Sequence, residues 1–177
     1  MIRAPGRIEP GRTIEEPVIV MDVLPTVLSL AGIDIPDNLD GLDLAPALQN
    51  QTELDPERAL FFYRSGQLRS MRKGKWKMHV PHRYLSMTPE LGGVPGSGGH
   101  PGTYGRGEIG VALYDLEVDP GETTDVKDKY PDVVQDLMIH IEYARAHIGD
   151  ELTDRVGDEA TPPQLIESVW PTLEDDQ

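Results

Sequence analysis

The sequence predicts an α+β chain: a small antiparallel β-sheet of about four strands covered by a long C-terminal helix, preceded by a remnant of a larger body. Three observations carry this. Short aromatic and apolar segments, parted by two-residue turn signals, follow one another between residues 59 and 80. A stripe of apolar residues at three- and four-residue intervals runs from Val133 to Ile148. Finally, an opening helix at Val23–Leu30 is apolar on more than one side, which suits a helix enclosed by other elements rather than one on a small sheet.

The elements follow in order. The first dozen residues alternate Pro and Gly with basic and apolar positions, which reads as turns around a short extended segment. Pro17-Val18-Ile19-Val20 is a short apolar run leading into the first helix. There Asp22 stands where an N-cap would, Pro25 falls in the first turn and Gly32 supplies the stop. Residues 33–55 are punctuated by Pro, Asp, Asn and Gly, with a helical turn or two at Asp43–Leu48. Segments 59–64, 68–72 and 76–80, separated by Ser65-Gly66 and Lys73-Gly74, predict a meander. Residues 81–110, rich in Gly, read as one long loop. A strand at Ala112–Glu117 and the helix Pro131–Gly149 complete the unit. The acidic tail from Asp150 has a candidate short helix around Leu165, Ile166, Val169 and Trp170. The expected division is 1–55, the incomplete end of a large domain, 56–150, a small C-terminal domain, and 151–177, the tail.

Composition excludes several classes. The net charge of -15 repels phosphate backbones and anionic lipid surfaces, so nucleic-acid and membrane partners are not expected. With no Cys there are no disulfides, thiolate zinc sites or cysteine nucleophiles. No apolar run approaches the roughly 20 residues of a membrane span. The N-terminus has no signal-like apolar stretch, although in a fragment that carries no weight.

Three ordered stretches resemble the C-terminal region of the formylglycine-dependent sulfatases, within the alkaline-phosphatase-like superfamily. The first is Arg3-Ala4-Pro5-Gly6-Arg7-Ile8-Glu9-Pro10-Gly11 with Met21–Leu28, Ala31-Gly32, Asp40–Leu44 and Pro46-Ala47-Leu48. The second is Arg69 with Gly74-Lys75-Trp76-Lys77. The third, and most specific, is Leu113-Tyr114-Asp115-Leu116 with Asp119-Pro120-Gly121-Glu122, then Tyr130-Pro131. Asp125 stands where many relatives carry Asn. The resemblance implies that residues 1–55 are a strand and helix of the large α/β sulfatase domain. It also implies that the complete enzyme uses formylglycine and calcium to hydrolyse a sulfate ester, and that it is periplasmic or secreted. Those groups belong to a missing N-terminal catalytic domain, the chief partner expected. No Ser of this chain begins S-x-P-x-R, so no catalytic residue, metal ligand or cofactor is assigned to it, and the chain alone is expected to be inactive.

Candidate contacts with substrate are His82, Arg83, Tyr84 and His100, because the long loop could reach the rim of a cleft on the missing domain; the alternative is a solvated loop with packed rings. Arg72–Lys77 reads as a hairpin with its basic side chains in water and Trp76 inward. Asp115, Glu117, Asp119 and Glu122 mimic a calcium-loop spacing, but Pro120 and Val126 occupy the positions that need Gly and Glu. His140 and His147, seven apart with no third ligand evident, read as surface residues. Two other functions stay open: a free-standing, non-catalytic partner-binding domain, and part of a related phosphodiesterase or phosphonate hydrolase.

Overall fold

The computed structural model describes residues 1–160, which divide into two units, Met1–Arg58 and Ala59 onward. In the first, a 3₁₀ turn at Val20–Asp22 runs directly into helix α1 (Val23–Ala31). Gly32 ends it at φ 72°, and the Ile33 N–H bonds back to Leu28 O, six residues closing onto one. After an irregular stretch comes a single turn, α2 (Ala45–Leu48). Gly41 passes directly over the start of α1, where a Cβ would sit 2.0 Å from Met21 O.

One expectation for this unit fails. No strand occurs among its described residues, because the apolar run Pro17–Val20 has no partner edge to pair with. Within this unit α1 is not enclosed. Pro25 and Thr26 are its buried residues, while Val23, Leu24 and Val27 are each more than half exposed. Fifty-eight residues provide too little surface to cover both sides of an apolar helix.

The second unit begins with a meander: β1 (Leu60–Arg64), β2 (Gln67–Lys73) and β3 (Trp76–His79). Ser65 and Gly66, at φ 48° and 75°, make the first reversal, the left-handed pair that suits a tight hairpin. A ribbon, β4 (His82–Ser86) with β5 (Gly105–Ile109), intervenes before β6 (Ala112–Asp115) returns to lie against β3. The main sheet is therefore four-stranded and antiparallel, in the order β1-β2-β3-β6. Its β6 edge is closed locally. The Leu113 N–H donates to Asp125 Oδ1 at 3.0 Å, and Leu113 O accepts from the Val126 N–H. A free edge would be a template for another chain; here an Asn amide oxygen could accept the same bond.

Helix α3 (Pro131–His147) opens with Pro at its first position and lays Leu137, Ile141 and Ala144 on the sheet. These pack with Leu68, Met71, Met78, Val80 and Leu113, all essentially without solvent exposure. Each such buried aliphatic contributes about 1.5–3 kcal/mol relative to exposure. Val133, Val134 and Met138 flank the cluster, but Ile148 lies beyond the helix end and is exposed. The chain then doubles back through β7 (Gly149–Asp150) and β8 (Arg155–Val156). The Asp158 and Glu159 N–H groups donate to Ala146 O and His147 O at the end of α3. The candidate helix near Trp170 lies outside the described residues.

Candidate functional site

The stretch read as a long loop is an arm with its own ladder. His82 pairs with Ile109, Tyr84 with Gly107 and Ser86 with Gly105. Beyond them lie a bridge between Val94 and Thr103 and a second between Ser97 and His100. Gly98 and Gly99, at φ 58° and 81°, turn the tip. Glycine hid this arm from sequence reading, since Gly is depleted in strands and marks loops. Here it serves close packing instead. A Cβ on Gly107 would meet the Tyr84 ring at 2.5 Å, and one on Gly105 would lie 1.7 Å from Leu91 O. We expect Gly105→Ala to unpair β4 from β5 while leaving the four-stranded sheet intact. Amide exchange, fast in the arm and unchanged in β2–β3, would show it.

This ladder separates the candidate rim residues. His82 sits at the root and His100 at the tip, so the four do not form one cluster. Arg83 points to solvent and pairs with Glu108 across the ribbon at 2.8 Å. Tyr84 lies on the opposite side, over Gly107.

A second cluster meets the arm at its root, and the sequence reading did not single out its central residue, His79. His79 Nε2 lies 2.7 Å from Glu122 Oε2, and Glu122 Oε1 accepts from Lys77. The His79 ring stacks on His82 with centroids 5.4 Å apart and planes 19° apart, and Tyr114 meets it edge-on at 5.7 Å. His82 Nδ1 is 2.7 Å from Val80 O. Glu122 reaches this position from a left-handed backbone, φ 54°, which is uncommon for a residue with a side chain. Burial pushes the His79 pKa below the ordinary histidine value, against the opposing pull of Glu122. Burial acts to raise Glu122, but Lys77 and His79 outweigh it and hold its carboxyl below the usual range. The signal available in the sequence was Lys77-x-His79, a spacing that puts both side chains on one face of a strand.

The basic run at this hairpin is not solvated as expected. Lys73 pairs with Asp136, Lys75 with Asp115 and Lys77 with Glu122. Those acids come from later in the chain, from α3, from the end of β6 and from the turn after it, and no local pattern reveals them. Trp76 does pack inward, against Tyr130 at 4.8 Å. Three of the four carboxylates that mimic a calcium loop are taken by their own donors, and Glu117 is exposed with only Lys75 nearby at 3.8 Å. Asp115 accepts from Lys75 and the Glu117 N–H, Asp119 from Thr123 and Thr124, and Glu122 from Lys77 and His79. The fold brings two later carboxylates to His147. Asp158 and Glu159 come within 2.8 and 3.6 Å of its Nδ1 at the surface.

Comparison with known proteins places this architecture. The profile of the C-terminal region of aryl-sulfatase matches residues 55–165, and that of the N-sulphoglucosamine sulphohydrolase C-terminal region matches 1–78. The chain belongs to the sulfatases, as their C-terminal region. This sulfatase region is 30% identical to arylsulfatase A of Bos taurus over 96% of its own length, which is 33% of that protein. It is 34% identical to arylsulfatase A of Homo sapiens over 75% of its length and 27% of that protein. Its fold matches the PsFucS1 sulfatase from Pseudoalteromonas sp. with a TM-score of 0.54 at 19% identity, covering 79% of this chain and 28% of that one. The region thus spans a third or less of these relatives.

The formylglycine that the family implies does not fit the residues present, and the calcium does not fit the buried carboxylate of the first unit. The chain has no Cys and no Ser in the required context. Asp22, the buried carboxylate of the first unit, accepts both nitrogens of Arg58 at 2.8 and 2.9 Å, together with the Ile19 and Leu42 N–H groups. A divalent cation there would face a guanidinium. This geometry also corrects the expected cap. Asp22 makes no side-chain cap to α1, because the helix is already continuous with the preceding 3₁₀ turn.

Proposed function

We propose that this chain is the C-terminal part of an arylsulfatase-type sulfuric ester hydrolase, and that it does not hydrolyse sulfate esters by itself. The observation that carries the reading is the pair of sulfatase profiles spanning both units, in a chain covering no more than 33% of the relatives named. Formylglycine and calcium belong, on this reading, to the N-terminal catalytic domain, the partner this chain completes. Residues 1–55 finish that large domain, and Val23, Leu24 and Val27 on the exposed side of α1 are the contact they offer it. Residues 56–150 form the small domain and 151–177 its acidic extension. The arm contributes His82, Arg83, Tyr84 and His100 to the cleft rim, where cationic and hydrogen-bonding side chains suit an anionic ester.

The test is an assay of the purified chain with an aryl sulfate such as p-nitrophenyl sulfate, with and without added calcium. Release of nitrophenol at the uncatalysed rate is expected. Turnover at ordinary enzyme rates, about 1 per second or faster, would refute the assignment of the catalytic groups to the missing part.

A further inference from the structure

Two imidazoles meet at the root of the arm, and one of them has a ring nitrogen without a partner. Among the described residues His79 Nδ1 is buried and makes no hydrogen bond, while Nε2 faces Glu122. A carboxylate only accepts, so Nε2 carries the proton and Nδ1 is the bare nitrogen of a neutral ring. We propose that His79, held neutral between Glu122 and the stacked ring of His82, is a proton-operated latch on the root of the glycine-rich arm.

The charges around it set the direction. Lys77 comes from its own strand, Glu122 from the turn after β6, Tyr114 from β6, and His82 and Tyr84 from β4. On β2, Ser70 is opposite His79 in register, and Arg72 is opposite Lys77. Among the described residues the one carboxylate in contact with the ring is already shared with Lys77. A proton added at Nδ1 would therefore be buried, without an acceptor, on a ring packed against His82 and near Lys77. His82 Nδ1 cannot take it, since it donates to Val80 O. The charged ring must turn to bring Nδ1–H to water, which breaks its stack on His82, and His82 is the first residue of β4. The arm is a two-stranded ribbon separate from the main sheet, a structure that is marginal without outside support. Losing the His79 contact loosens that ribbon first.

The sign follows. Burial lowers the His79 pKa in the folded chain, with Glu122 opposing. The closed arm is thus favoured above the ordinary histidine value of 6.5 and weakens as pH falls below it. The device belongs to the small domain itself and holds whether or not the arm lines a cleft.

The test is amide hydrogen exchange on the full chain at about pH 7.5 and about pH 5, corrected for intrinsic rates, with NMR titration of the ring protons. We expect β4–β5 protection to fall by roughly a factor of ten at the lower pH while β2–β3 protection holds. The midpoint should match that of the His79 ring. In His79→Gln, whose amide nitrogen can still donate to Glu122 but cannot titrate, arm protection should no longer depend on pH. Constant arm protection in the wild type, or an unaltered pH dependence in H79Q, overturns the latch. Should H79Q not fold, the wild-type midpoint decides. Arm opening that follows the His79 titration supports the latch, and opening at the pH of carboxylate titration overturns it.

Discussion

Alanine in place of Asp150 should lower the unfolding free energy of the second unit by about 3–5 kcal/mol, the cost of breaking a buried ion pair from one side. Asp150 is 1% exposed. Its Oδ1 accepts from the N–H groups of Leu68 and Leu152, and its Oδ2 from Arg145 Nε at 2.9 Å. One carboxylate thus ties β2, the end of α3 and the returning chain together. Tyr63 adds to the joint by donating to Gly149 O, and its phenol is pushed up to about 12 by burial and then by the nearby Asp150 charge. Removing Asp150 leaves the mostly buried Arg145 guanidinium with Glu142 alone and strands two backbone donors at once. Asp150→Asn should cost less, because an amide oxygen can keep the Leu68 and Leu152 bonds. Urea unfolding of the full chain, followed by far-UV circular dichroism, would measure both. A loss under about 1 kcal/mol for D150A would mean that this joint is solvated.

The second large effect is expected at Asp22, also fully buried, in the first unit. Asp22→Ala leaves Arg58 and the Ile19 and Leu42 N–H groups without their acceptor, at a cost of about 3–5 kcal/mol. Replacing Asp22 and Arg58 together by apolar residues should be far milder, because no charge is then stranded. Burial acts to raise the Asp22 pKa, but Arg58 and the two backbone donors outweigh it, and the net direction is downward. A carboxylate with a lowered folded pKa contributes stability above its unfolded value, and that contribution is lost as pH falls through the folded value. The first unit should therefore keep this contribution down to about pH 4 and lose it below. Exchange of the Leu42 amide reports it directly. Protection of that amide lost already near neutrality would place the titration elsewhere.

Much of this architecture was legible because it is written in short-range pattern. The meander followed from β-rich segments with Ser65-Gly66 and Lys73-Gly74 between them. The stripe Leu137, Ile141, Ala144 announced the helix that packs on the sheet. The family was legible from ordered motifs. What was not legible depends on residues far apart in the chain. Asp150 and Leu68 are 82 residues apart, and Asp22 and Arg58 are 36 apart. A lone Asp before a helix reads as a cap whatever distant arginine it meets. The arm was missed because glycine, chosen there for close approach, carries the signature of a loop. His79 was passed over because its partner lies in a turn that seemed complete in itself.

The arm's construction also bears on how such a domain can diversify. Its tip is a glycine pair between Ser97 and His100, beyond the ladder that fixes its root. Pairs of residues inserted there lengthen the ribbon and keep every existing side chain on its present face, whereas a single inserted residue shifts the pairing and invites a bulge. Length can therefore drift in steps of two without a penalty in the sheet below. Descendants of one scaffold can differ in reach while sharing the same foundation.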